Sequence, residues 1–241
     1  MKKPRRQEFS LFSYMVVVVL GLGCRAPLAS SFAGTDSEVV RVIDFTEKPH
    51  GSAVEWLQEN GYDLRLDAES LNPRFSEKGL VLSTDGRTAG LMEREIELSD
   101  VGQIRVTWGV EEYPKGADWE DGVYRVPIAI MVSFGDKEIG SGSMFVPDAP
   151  YFISLFLSRN AEPDKAYTAN YYEKGGRYFC QPCTPPEGKT VTTEFDLYSA
   201  FRNQFDKSEV PPITGFGIQM NTNDTRGGAR AYLERVEFIK R

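Results

Sequence analysis

The sequence predicts an all-β domain, a sandwich or barrel of antiparallel strands with one or two short helices at its edge. Three observations predict it. Short segments alternate apolar and polar residues with period two, clusters of Gly, Pro, Asn and Asp separate them, and the chain of 241 residues suits one domain of that size class. The last thirty-one residues show the pattern best. Phe216, Ile218 and Met220 alternate with Gly217 and Gln219, Asn221–Gly228 is turn chemistry, and alternation resumes from Val236 to Phe238. These segments read as a pair of strands closing the domain.

The first thirty-three residues read as a targeting segment. Lys2, Lys3, Arg5 and Arg6 form a basic start, and Leu11 to Gly23 is a run of roughly 13 largely apolar residues, too short to span a bilayer comfortably. Ser31-Phe32-Ala33 offers small residues at a cleavage spacing, so the expectation is a signal peptide at 1–33 and a single domain at 34–241, periplasmic or extracellular. Two alternatives stay open. Gly21-Leu22-Gly23-Cys24 faintly matches a lipoprotein box, which would anchor the chain through Cys24, and Arg5-Arg6 partly matches a twin-arginine signal. Neither leaves a transmembrane span in the mature chain.

The formal net charge is −7, and removing the leader with Lys2, Lys3, Arg5, Arg6 and Arg25 makes the remainder more acidic still. Such a charge disfavours phosphate backbones, so nucleic acid is not an expected partner.

Val39 to Phe45 reads as the first strand. Ser52 with Glu55 has the spacing of a capping box before a short helix carrying Trp56 and Leu57, stopped at Asn60-Gly61. Strands follow at Gly79–Thr84, Leu91–Leu98 and Gln103–Val110, where Ile104, Val106, Trp108 and Val110 face one way. Arg125–Phe134 is apolar on both faces, which places it centrally. Phe152–Ser158, Arg177–Cys180 and Thr190–Phe195 continue the series. One helix interrupts it: Asp196 is a cap, and Leu197, Phe201 and Phe205 form one stripe.

Ile104–Val110, the polar loop Pro114–Asp118, the apolar Pro127–Phe134, the helix Asp196–Arg202 and the ending Pro212–Met220 together resemble the exported bacterial domain-of-unknown-function family 3047. The resemblance covers roughly Trp56 to Phe238. It implies a jelly-roll-like antiparallel β-sandwich, similar in plan to carbohydrate-binding modules and lectin-like glucanases, and brings no catalytic residues with it. Relatives tend to place two aspartates in the last turn, where this chain has Asn221, Asn223 and Asp224.

His50 is the only histidine, so histidine-based hydrolysis and zinc catalysis are disfavoured, and no cofactor is expected. Cys180-Gln-Pro-Cys183 cannot alone build a four-thiolate zinc site; in an oxidising compartment it reads as a local disulfide. Asn221, Asn223 and Asp224 carry oxygens a calcium ion would accept, yet the same residues make any tight turn. Sugar recognition needs flat aromatic surfaces and planar hydrogen-bonding groups. Trp119 and Tyr124 in a polar loop, Arg105 and Thr107 on the face opposite Trp108, and Glu234 are the candidates. Glu234 falls in phase with Tyr232 and Val236, so it is either an inward acid or the mark of a β-bulge. Asn170–Tyr178 is loosely similar to the tyrosine-bearing segment of some alginate lyases.

The leading expectation is a non-catalytic module binding a glycan or a cell-envelope component. The alternatives are a polysaccharide-active lyase or glycosidase without histidine, and a structural envelope protein with no small-molecule site.

Overall fold

The computed structural model describes residues 38–241, and the expectations for residues 1–33, including Cys24, lie outside them. The described residues form one compact unit. In chain order its elements are β1 (Val39–Asp44), β2 (Gly51–Ser52), α1 (Val54–Glu59), β3 (Asp63–Leu66), a 3-10 turn at Ala68–Leu71 and β4 (Arg74–Ser76). Then come β5 (Gly79–Thr84), β6 (Ala89–Leu98), β7 (Val101–Glu112), β8 (Val126–Ile139), β9 (Ala149–Phe156) and β10 (Ala166–Tyr167). The last are β11 (Gly176–Cys180), β12 (Thr190–Asp196), α2 (Leu197–Phe205), β13 (Ile213–Asn221) and β14 (Ala229–Lys240). Among the described residues no helix is long and apolar enough to cross a membrane.

The strands form two seven-stranded sheets packed as a β-sandwich. Sheet A runs β12-β7-β14-β5-β4-β2, with β1 also on β14; sheet B runs β10-β11-β9-β8-β13-β6-β3. Pairing is antiparallel except where β11 lies parallel to β9. The all-β sandwich expected from period-two patterning is therefore the fold. β8, apolar on both faces, is the middle strand of sheet B.

Alternation decides what meets between the sheets. Ile104, Val106, Trp108 and Val110 of β7 are fully buried against Ile128, Ile130 and Val132 of β8 and Phe216, Ile218 and Met220 of β13, in one continuous core. The Trp108 indole keeps a partner there, donating to Thr193 Oγ1 at 2.9 Å, and that hydroxyl donates to the Gln181 carbonyl. α2 closes the core as expected: Asp196 accepts from the Ser199 amide at 2.8 Å, and Leu197, Phe201 and Phe205 are buried.

Three local expectations change. β13 and β14 do not pair with each other; the polar turn at 221–228 carries the chain from sheet B to sheet A, because both segments bury one face in the same core. α1 starts one residue later than the capping box implies, with Ala53 at its cap; Ser52, drawn into β2 opposite Arg74, still accepts a long hydrogen bond from the Val54 amide at 3.4 Å. The strands β3 and β10 are not among those expected: β10 has only two residues, and β3 alternates but lasts only four.

The outer face of sheet A is an ionic surface. Glu111 is held by Lys78 at 2.7 Å and by Arg230 at 2.5 Å, and the hydrogen bond from Lys78 keeps its carboxyl below the usual glutamate range against a burial effect that raises it. A carboxylate depressed in the folded state stabilises it above the unfolded glutamate value of about 4.3 and stops doing so as the pH falls through the folded value. Glu111→Gln is thus expected to be less stable than the wild type at pH 7, with the gap closing below about pH 4. Urea unfolding across pH 7 to 3 measures this; a gap that does not change with pH refutes it.

Candidate functional site

Arg105 lies on this outer face of sheet A, not in a cleft. Its guanidinium bonds Glu194 at 2.7 Å and Glu237 at 3.3 Å, its direct cross-strand partners on β12 and β14, and Arg235 extends the ladder from Glu237 to Asp44. With its donors spent on neighbouring acids, Arg105 braces three strands. Thr107 is engaged likewise, 3.3 Å from the Thr192 hydroxyl across the same strand pair.

Glu234 sits at a register shift in β14 between Leu233 and Arg235. Leu233 and Val236 both face the core, so two residues between them turn outward: the bulge alternative is the one realised. Its carboxylate accepts from Thr190 at 2.9 Å.

Trp119 is the main correction. Expected to be a surface aromatic, it is only 3% exposed. The loop between β7 and β8 folds onto the outer face of sheet B, where Trp119 stacks on Phe156 at 4.0 Å and 20°, and packs against Tyr124, Tyr167 and Tyr178. A second, smaller hydrophobic cluster results, containing Val126, Ala129 and Cys180. The polar composition of the loop hides this because its acids serve the loop itself: Asp118 caps the amides of Glu120 and Asp121, and Glu120 takes the Tyr167 hydroxyl and Lys165. Tyr124 stays half-exposed at the margin.

The last turn is also committed. Asn221 accepts from the Asn223 amide, and Asp224 pairs with Arg125, whose Nε donates to the Asn223 carbonyl at 2.6 Å. Arg125 thereby ties this turn to the Trp119 loop, and these oxygens close a turn rather than gather round a cation. Among the described residues, no three His, Cys, Asp or Glu side chains come together in a metal-holding group. Cys180 and Cys183 are joined in a disulfide at the end of β11.

The surface with chemistry to spare is the outer face of sheet B beside the Trp119 cluster. Cross-strand register sets a row there: Tyr178 on β11, Ser154 on β9, Met131 on β8, Gly217 on β13 and Glu93 on β6. Four strand spacings separate Tyr178 from Glu93, about 19 Å. Ser133 and Gly215, paired with each other, flank the row on one side, and Ala129 and Gln219, also paired, on the other. Ala129, Ser133, Gly215 and Gly217 on β8 and β13 keep this face low around Met131, so the register implies a shallow trough between a tyrosine end and a carboxylate end.

Two polar groups of this row have no partner among the described residues. The Tyr178 hydroxyl, unlike those of Tyr113, Tyr167 and Tyr172, donates to no group among the described residues. Ser154 Oγ is buried on this face without a partner. Burial pushes the Tyr178 phenol upward, with the neighbouring Tyr172 adding to the effect, so at neutral pH it is a hydrogen-bond donor. Tyr172 leans over the same face, edge-on to Phe152 at 5.5 Å. Its phenol is raised first by burial, then by the charges of Asp148 and Glu93. Arg65 holds Glu93 from the far edge at 2.7 Å.

Alternation in β13 separates Gly215, Gly217 and Gln219 from Phe216 and Ile218, and the tyrosine-rich segment ends on Tyr178, so half of this trough had a sequence signal. Ser154, Met131 and Glu93 join it only through strand order.

No family model matches the chain, and no curated protein matches it either. Solved structures do. A carbohydrate-binding module in complex with β-1,4-galactotriose aligns at 8% identity over 83% of this chain and 99% of its own, with a TM-score of 0.36. The carbohydrate recognition domain of Emp46p in its potassium-bound form aligns at 10% over 81% and 94%, TM-score 0.41. A cellulase derived from Cel12A of Rhodothermus marinus aligns at 12% over 81% and 99%, TM-score 0.38. With identities and TM-scores this low, these likenesses carry no weight for what the chain binds.

Proposed function

We propose that this domain is a non-catalytic glycan-binding module, exported to the periplasm or beyond, that receives a saccharide along the trough on the outer face of sheet B. The observation that carries the reading is the Tyr178–Ser154–Met131–Gly217–Glu93 row, with an unpartnered tyrosine hydroxyl at one end and a carboxylate at the other. Sugars present C–H faces that pack on tyrosine rings and hydroxyls that need donors and acceptors at the rim. Tyr178 and Tyr172 supply the rings; Gln219 and Glu93 supply both kinds of polar partner. A length of about 19 Å accommodates several sugar rings.

Tyr178→Phe tests the reading. The hydroxyl it removes has no partner in the folded protein, so unfolding midpoints should be unchanged. Affinity for the bound glycan, identified on a glycan array, should fall about five- to tenfold, the effect of one net hydrogen bond. Arg105→Ala, on the opposite sheet, should leave affinity unaltered. A domain that binds no sugar on the array, or a Tyr178→Phe variant that binds like the wild type, overturns the assignment.

A further inference from the structure

At one edge of the sandwich the buried Tyr62 hydroxyl and the Arg94 guanidinium meet with poor mutual geometry, and the charge of Arg41, on the other sheet, reaches the same phenol. Tyr62, just before β3, is 3% exposed, and its hydroxyl has no hydrogen-bond partner. One step beyond the Asp63–Glu93 pair of β3 and β6 lies Arg94, in phase with the core residues Met92 and Ile96 and therefore directed between the sheets. Its guanidinium lies over the Tyr62 ring, 5.2 Å from the centroid, and its Nε is buried with no partner. From the facing sheet comes Arg41, paired with the core residue Phe238 and in phase with Ile43, but exposed at the sandwich edge. Among the described residues neither arginine forms an ion pair; those that do are Arg65, Arg105, Arg125, Arg159, Arg230 and Arg235.

This arrangement is costly as it stands. A buried guanidinium N–H and a buried phenol each lose their water for at best a poorly formed contact, and among the described residues neither cation has an ion-pair partner. Burial pushes the Tyr62 phenol up to about 12, while Arg94, by its charge and by a weak side-chain hydrogen bond, and Arg41, by its charge, pull the other way. At neutral pH the hydroxyl therefore keeps its proton and, like the two guanidiniums, has a donor to offer. Donors converging from two sheets, in a chain that is acidic overall, match a planar or tetrahedral group of oxygens.

We propose that this edge is a binding site for one oxoanion group, a carboxylate, sulfate or phosphate, gripped by Arg94 and Arg41 with the Tyr62 hydroxyl as third donor. It lies at the sandwich edge, whereas the saccharide trough runs over the outer face of sheet B, and it does not depend on the trough reading. The group belongs either to a free inorganic anion or to an acidic sugar such as a uronate.

Titrating the purified domain with sodium sulfate, sodium phosphate and sodium glucuronate, against sodium chloride at matched ionic strength, tests the site by calorimetry and thermal unfolding. Because sulfate and phosphate stabilise proteins generally, the readout is the difference between wild type and variants. The wild type should show a saturable response to at least one of the three. Arg94→Met should weaken that response about tenfold or more, and Tyr62→Phe severalfold. Saturation by phosphate or sulfate identifies an inorganic ligand, and saturation by glucuronate alone an acidic saccharide; both support the site. Arg41→Ser, at an exposed position, gives the same test should Arg94→Met fail to fold. Absence of any saturable response in the wild type overturns the proposal, as does an Arg94→Met or Arg41→Ser variant that is folded and responds like the wild type.

Discussion

Replacing Trp119 with alanine is expected to lower the stability of the domain by about 3–5 kcal/mol. For a domain of this size the melting temperature should then drop by roughly 10 °C. The magnitude follows from what the indole touches. One face stacks on Phe156, the edges meet Tyr167 and Tyr178, and Nε1 donates to the Arg125 carbonyl at 3.2 Å. Removing the ring leaves a cavity under a loop whose own bonds fix its backbone: the Trp119 amide is tied to the Asn160 carbonyl and the Asp118 amide to Val123. Partial collapse is therefore the most the site can do, and the cavity cost persists. Trp119→Phe retains the stack and loses one hydrogen bond, so its cost should be about 1–2 kcal/mol. Urea unfolding of the three proteins measures both numbers, and an alanine variant with an unchanged midpoint would mean that the loop is not packed on sheet B.

The consequence reaches the trough, because Tyr178 leans on Trp119 at 5.5 Å. A binding defect in Trp119→Ala would report loss of the wall that holds Tyr178, not loss of a stacking surface. Tyr178→Phe isolates the contact, since it changes one atom that nothing in the protein uses.

How far the sequence could reach is clear from individual residues. Period two in β7 placed Val106 and Trp108 inward and Arg105 and Thr107 outward, and the structure keeps that division. What alternation could not supply was which outward face carries a site. Arg105 pairs with Glu194 and Glu237, residues 89 and 132 positions away, and no local pattern announces that its charge is spent. Trp119 was misplaced for a related reason. Hydrophobic burial on the outer face of a sheet leaves no period in the covering loop, and the acids beside it cap amides rather than face solvent as a binding patch. Glu234 shows the opposite case: an acid in phase with core residues is a contradiction, and a bulge is the local way to resolve it. Half of the trough was visible as the non-core phase of β13. The rest required knowing that β9 and β8 lie between β11 and β13, which is a matter of long-range pairing.

The helix between β12 and β13 offers a test of how the core is closed. Phe201→Ala is expected to cost about 3–5 kcal/mol, and Asp196→Ala, which removes the cap of the same helix, only about 1 kcal/mol. The ring of Phe201 is fully buried, 4.8 Å from Phe134 on β8, 4.9 Å from Phe205 and 5.7 Å from Tyr151 on β9. A nine-residue helix is too short to persist in water on its own, so it holds its place by what it buries and its cap only trims the ends. The two effects differ about threefold, which is large enough to rank them in a single series of denaturant melts. Were Asp196→Ala the more damaging change, the helix would owe its position to its own hydrogen bonding. The side of the core that Phe134 and Tyr151 line would then have to be sealed by something other than Phe201.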